Sequence, residues 1–372
     1  MPILAPISVG HARRDVGVTP SVTYERPLSS SRRAARTLLY ATALLLLCHL
    51  GFGAYCEVNP KRKDPTYGDK LDKLAAAPTD KPLVLMLGSS RTLLGFHAEQ
   101  AEGELPEVRA FNFGTPAAGP ITHLVYLRRL LDAGVVPELL LVEVLPPTLA
   151  DGPDGPPERS SLTGERLSAA EVELVTRFGF PGDQVRAAWR GSVASPLSAL
   201  RFQILGRVLP SWIPWNLRGD WSRNTDPHGW ATPPRQTVTD EERRERTANA
   251  AGEYRRLLAT MPPEGRPLLA LEELLELAAR RGIPTRVVVM PEAPSFQELY
   301  PAGLHGRIVA ALERVARPHG VSVLDARDWL GEEDFYDGHH MFRAGAERFT
   351  RRLTAEAIRP HFAAGKGDRP CP

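Results

Sequence analysis

The residues with the clearest capacity for chemistry are Ser89 and Ser90, in Gly88-Ser89-Ser90-Arg91, and Asp337, His339 and His340, in Asp337-Gly338-His339-His340-Met341. An aspartate and a histidine three apart can meet across one tight turn. The carboxylate then fixes the imidazole tautomer while the other ring nitrogen faces a hydroxyl. A serine at the start of a helix lies near backbone N–H groups that can stabilise a developing oxyanion. Together these groups suit acyl transfer through a serine nucleophile. Each segment alone has a plainer reading, Ser89 or Ser90 as a helix cap and the Asp-His stretch as a surface loop. A metal site on Asp337, His339 and His340 would need further ligands from elsewhere in the chain.

Both segments fall where strands give way to helices. Pro82–Leu87 is a continuous apolar run ending at Gly88, as expected of a strand buried on both faces, with a helix to follow over Ser89–Ala101. Further strands are expected at Val108–Phe113, Glu138–Leu145, Thr285–Met290 and Val321–Asp325, with helices at Ile121–Ala133, Leu268–Arg281, Gly303–His319 and Ala344–Ile358. This alternation predicts a three-layer α/β/α, flavodoxin-like parallel sheet, with ligands beyond the carboxyl ends of the strands. Both candidate motifs lie at that edge.

The pattern breaks between about 150 and 265 into short helical pieces interrupted by prolines. That stretch holds Trp189, Trp212, Trp215, Trp221 and Trp230, five of the six tryptophans. It is expected to be a mainly helical insertion that caps the strand ends, its aromatic residues either meeting a ligand or forming a small core of their own. The remaining expected divisions are a leader over 1–36, a span over 37–56, a linker over 57–80, a catalytic domain over 81–149 and 266–362, and a tail over 363–372.

Residues 37–56 carry no charge and are long enough to cross a bilayer. Arg32, Arg33 and Arg36 precede them, whereas Lys61, Arg62 and Lys63 follow beside Asp64 and Asp69. The positive-inside rule favours a cytoplasmic N-terminus and an exported body. A cleaved signal peptide is the rival reading, and the long polar leader favours a retained anchor. With 46 basic against 44 acidic residues, net +2, no general positive field speaks for a nucleic-acid partner. Cys48, Cys56 and Cys371 lie outside the expected catalytic region, so a Cys-ligated zinc, a disulfide framework and a cysteine nucleophile lack their residues. No cofactor or metal is expected.

The two motifs resemble the first and last sequence blocks of the SGNH (GDSL-like) hydrolases. That family has Gly-x-Ser after the first strand and Asp-x-x-His-(apolar)-x-x-x-Gly near the C-terminus, matched here at Ser90, Asp337, His340, Met341 and Gly345. The resemblance implies a triad of Ser90, His340 and Asp337. It also implies an oxyanion hole, for which Ser90, Gly119 and Asn112 are the candidates in this chain. The third block departs from the family: Glu143-Val144-Leu145-Pro146-Pro147-Thr148 stands where Gly-x-Asn-Asp is usual, so Asn112 or an insertion residue such as Asn224 would have to replace the missing asparagine. Similar departures occur in membrane-anchored SGNH proteins linked to D-alanylation and alginate O-acetylation. The resemblance therefore implies an esterase or O-acyltransferase acting on an acylated envelope glycan or lipid, with room for a membrane-bound acyl-donor protein as partner. The alternative is an envelope protein that keeps the fold for binding or assembly without catalysis.

Overall fold

The computed structural model describes residues 28–76, 80–214, 223–233, 238–261 and 264–364. The chain divides into two units, 1–48 and 49–372. Within the second, five strands form one parallel sheet: β1 (Leu83–Gly88), β2 (Arg109–Gly114), β3 (Leu139–Glu143), β4 (Thr285–Val289) and β5 (Ser322–Asp325). Their spatial order is β2-β1-β3-β4-β5, the flavodoxin-like order with its switch point beside β1. Successive side chains of a strand point to opposite faces. In β1, Leu85 and Leu87 accordingly enter one apolar core while Val84 and Met86 enter the other. Both faces are covered, which is why the strands read as unbroken apolar runs.

In chain order the helices are α1 (Leu28–Glu57), α2 (Pro60–Lys63), α3 (Pro65–Ala76), α4 (Ser90–Gly95), α5 (Ala98–Glu104) and α6 (Pro120–Asp132). The insertion contributes α7 (Ala169–Arg177), α8 (Gly182–Ala194), α9 (Pro196–Ala199), α10 (Arg201–Val208) and α11 (Asp240–Thr260). Then follow α12 (Arg266–Arg280), α13 (Pro294–Gln297), α14 (Leu304–Ala316), α15 (Arg343–Leu353) and α16 (Arg359–Ala364). Helices α6, α12 and α14 pack on one face of the sheet, and α5 and α15 on the other. The insertion is helical as expected. Within α1, Ser31–Glu57 is long and apolar enough to cross a membrane. The leader up to residue 27 and the tail from 365 lie outside the described residues.

Two expectations change. The helix expected over Ser89–Ala101 is broken into α4 and α5. Side chains take over the backbone groups at the break. The Asn112 amide donates to the Thr92 and Phe96 carbonyls at 2.7 and 2.8 Å, and the Thr350 hydroxyl accepts from His97 N at 2.9 Å. The segment expected as a polar linker is instead folded into the body. Tyr67 and Leu74 of α3 belong to the core, and the buried Lys70 ammonium donates to Asn112 O at 2.9 Å and also to Gly229 O.

Between α2 and α3, Asp64 is fully buried. It accepts from Arg129 at 2.8 Å, from Arg166 at 2.7 Å and from the Tyr126 hydroxyl at 3.0 Å, tying this segment to α6 and the insertion. Burial alone would raise its carboxyl, but Arg166 and Arg129 outweigh burial and hold it below the usual range. Removing one member of such a group leaves a buried charge uncompensated. Asp64→Ala is therefore expected to cost about 3–5 kcal/mol, read from denaturant unfolding. An unchanged midpoint would contradict the assignment.

Candidate active site

Strand β1 ends at Gly88, and a side chain there would collide with the Thr92 hydroxyl at 1.9 Å and the Glu143 carboxylate at 2.5 Å. That close approach explains the glycine. Ser89 follows as the N-cap of α4, its hydroxyl accepting from Arg91 N at 3.1 Å. Ser89 is buried and Ser90, the first helical residue, is partly exposed. The capping reading and the nucleophile reading thus fall on different serines.

From the far end of the chain, the loop before α15 brings the histidine pair to the same place. His340 Nε2 stands 2.8 Å from Ser90 Oγ and its Nδ1 2.7 Å from Asp337 Oδ2. The other oxygen, Asp337 Oδ1, accepts from the amides of His340 at 2.8 Å and His339 at 3.2 Å. The turn needs Gly338, whose φ of 84° suits glycine and whose missing side chain makes room for Thr247 and Phe296. Burial would raise the Asp337 carboxyl, but the His340 and His339 imidazoles and the hydrogen bonds from His340 hold it well below the usual carboxylate range. At neutral pH it is an anion that can fix the tautomer of His340 with the free acceptor toward Ser90.

His339 is buried behind its neighbour. Its ring lies 4.0 Å from that of His340, 5.1 Å from Phe296 and 5.3 Å from Tyr254 of α11. It does not face solvent, and helix α11 of the insertion closes over this side of the loop. Burial, with help from His340, pushes its pKa down to about 3. Asp337, His339 and His340 bring ligand atoms within 4.8 Å of one another, but both ring nitrogens of His340 are already engaged by Asp337 and Ser90. A cation there would displace the serine. A second such group, His97, Glu99 and Asp226, lies beside Trp230, on whose ring His97 stacks at 4.0 Å.

Two of the three oxyanion candidates are corrected. The Asn112 amide is held by the Thr92 and Phe96 carbonyls, where it shapes the α4–α5 break. The Gly119 amide donates to the buried Glu158 carboxylate at 3.1 Å, which also takes Ile121 N and Thr122 N at the start of α6. Asn224 is exposed on a turn whose carbonyls at Arg223 and Thr225 accept from Lys73. Ser90 remains: in the first turn of α4 the Arg91 and Thr92 amides are engaged by Ser89 Oγ and Glu143, and the Ser90 amide has no partner among the described residues. Thr115, bonded through its amide to Gly88 O, has a buried hydroxyl that finds no partner among the described residues, a second donor at this sheet edge.

The sequence reading missed the support behind the serine. Glu143, from the end of β3, accepts from Ser89 N at 2.7 Å, Ser89 Oγ at 2.9 Å, Thr92 Oγ1 at 2.5 Å and Thr92 N at 3.2 Å. Arg91 is buried too, donating to Glu292 at 3.1 Å and to the Met290 and Pro291 carbonyls at 2.6 and 2.7 Å after β4. The signal was a charged residue at the end of each of two otherwise apolar runs.

Among the tryptophans, Trp189 is half-buried and donates to Glu57, Trp212 is 75% exposed, and Trp230 is buried with its indole N–H on Leu94 O at 2.7 Å. Trp215 and Trp221 lie outside the described residues.

Neutral buried histidines make stability depend on pH. Burial pushes His123 down to about 4, against an ordinary value of 6.5, and His339 to about 3. The unfolded chain therefore binds more protons below about 6.5 than the folded one does. Stability is complete above that pH and falls as pH drops toward 4. The thermal midpoint should decline over this window, and His123→Gln should flatten the decline. A flat wild-type profile would contradict the buried, neutral state of these rings.

Residues 57–156 match a family described as a protein of unknown function, DUF1574. No curated protein matches the chain. Among solved structures, the chain is similar to a mutant of the esterase AlinE4, at 13% identity and a TM-score of 0.29 over 77% of this chain and 84% of that one. It is also similar to LAE5, an alpha/beta hydrolase enzyme from the metagenome of Lake Arreo, Spain, at 10% identity and a TM-score of 0.33 over 74% and 94%.

Proposed function

We propose that the chain is a membrane-anchored serine ester hydrolase or O-acyltransferase of the SGNH type, acting on an acetyl or similar ester of an envelope glycan or lipid. The observation that carries the reading is the continuous relay from Asp337 through His340 to Ser90, at 2.7 and 2.8 Å. Ser90 Oγ attacks the ester carbonyl while His340 Nε2 takes its proton. The alcohol leaves with that proton, and the acyl group stays on Ser90. His340 then deprotonates water or a sugar hydroxyl, which takes the acyl group and frees Ser90. Asp337 stabilises the transient imidazolium. The Ser90 amide, with the Thr115 hydroxyl as its companion, supports the oxyanion.

The apolar span Ser31–Glu57 supports anchoring. Arg13, Arg14, Arg26, Arg32, Arg33 and Arg36 precede its apolar part, against Lys61, Arg62 and Lys63 just beyond it, a bias that favours a cytoplasmic N-terminus and an exported body. In that setting a membrane-bound acyl donor is the natural partner for a transferase. Incubating the full chain with O-acetylated envelope polysaccharide, with and without a free sugar acceptor, separates the two reactions. Acetate release or acetyl transfer that vanishes in Ser90→Ala is expected. Turnover retained in that variant would remove the reading. The engagement of Asn112 and Gly119 favours one rival, an SGNH-fold binding protein without turnover, which predicts bound polymer and no acyl loss.

A further inference from the structure

Outside α1, the described residues include nine large apolar side chains that are exposed, and six of them fall within a single stretch of the insertion: Leu197, Ile204, Leu205, Val208, Leu209 and Trp212. Leu197, Ile204, Leu205 and Val208 recur at i, i+7, i+8 and i+11, the spacing of one helical face along α9 and α10. Among the described residues nothing covers this face fully: Val208 is 70% exposed and Ile204 40%.

Its neighbour in the fold is the end of α1. His49 Nε2 contacts Ala194 O at 2.8 Å, and a side chain at Gly53 would meet Val193 O at 2.8 Å and Pro196 at 3.6 Å. Glu57 accepts from Ala169 N at 2.7 Å and from the Trp189 indole at 3.1 Å. The start of α9 is thereby fixed to a point four residues from the end of the apolar segment Ser31–Glu57. At the rise of an α-helix that is about 6 Å. Interfacial amphipathic helices seat their apolar faces at about 5–10 Å, at the boundary of headgroups and acyl chains.

We propose that the exposed face of α9, α10 and Trp212 rests in the boundary layer of the same bilayer that α1 crosses, a second membrane contact made by the insertion. The proposal rests on reading α1 as a membrane span. Whatever touches the last turns of a span stands at the depth of the interface, and apolar side chains there are stable in lipid and costly in water. Trp212 supplies the amphipathic ring favoured at that depth, and Arg201, exposed on α10 with its guanidinium over the Phe202 ring and donating to Ser198 O, adds a positive charge for lipid phosphates. The contact would hold the body against the membrane surface, where a lipid-linked acyl donor or acceptor is presented.

The test uses the full chain in vesicles of phosphatidylcholine and phosphatidylglycerol whose acyl chains carry bromine near the headgroup end, a contact quencher of tryptophan emission. Wild type should be quenched relative to unbrominated vesicles, and Trp212→Phe should lose most of that quenching. Leu44→Trp in the Trp212→Phe background, read in vesicles brominated near the methyl ends of the acyl chains, should be quenched, because residue 44 lies at the middle of the span. Equal quenching of wild type and Trp212→Phe, or quenching seen only when Leu44→Trp is present, would overturn the interfacial contact and leave the anchor standing. Absence of quenching in all three proteins would overturn the anchor and the contact with it.

Discussion

Asp337→Asn is expected to lower ester turnover by about 10⁴-fold while the protein stays folded. An asparagine can keep its carbonyl oxygen as acceptor for the amides of His339 and His340, which now bond at 3.2 and 2.8 Å, so the loop keeps its shape. Its NH₂ group would then face His340 Nδ1, now 2.7 Å from the carboxylate, and require that nitrogen to accept. The proton moves to Nε2, the atom that must receive the Ser90 proton at 2.8 Å. The base is present but holds its proton on the wrong nitrogen. Steady-state kinetics on an acetyl ester, paired with a thermal scan, reads both effects. A variant within tenfold of wild type would show that Asp337 does not set the tautomer.

The second large effect concerns Glu143. Its carboxylate is fully buried and accepts four hydrogen bonds from Ser89 and Thr92, with Arg91 Nε 3.8 Å away. Glu143→Leu keeps most of the volume but strands those donors and leaves the buried Arg91 with Glu292 as its remaining carboxylate partner. A loss of about 3–5 kcal/mol is expected in denaturant unfolding. Glu143→Gln is the gentler probe: one acceptor oxygen becomes an NH₂ facing donors, which should tilt the start of α4 and lower kcat with KM little changed. Wild-type stability in Glu143→Leu would contradict this supporting role.

Glu143 also shows where sequence reading stops. The strands were legible because a parallel sheet covered on both faces needs apolar residues at every position, as in Leu83–Leu87 and Leu139–Val142. Ser90, Asp337 and His340 were legible because their spacing follows from a strand-to-helix junction and one tight turn. The partners of Glu143 come from the N-cap and first turn of α4, more than fifty residues away, and no local pattern records such a meeting. The same limit explains Asn112 and Gly119. Each stands at the expected sheet edge, yet the side chain of one and the amide of the other are engaged by groups that only the packed structure brings near. The segment 57–80 reads as polar because its buried residues include Asp64 and Lys70, charged side chains whose burial depends on Arg129, Arg166 and the Asn112 carbonyl. Composition alone gives no hint of such pairing.

The hydroxyl of Ser89 caps α4 and bonds to Glu143, whereas that of Ser90 faces His340. Adjacent serines with opposite commitments make the nucleophile testable by one experiment. After reaction of the full chain with a fluorophosphonate and proteolysis, mass spectrometry should find the adduct on Ser90, with none on Ser89 and none in Ser90→Ala. Labelling that persists in Ser90→Ala, or no labelling of a folded wild-type protein, would contradict the account.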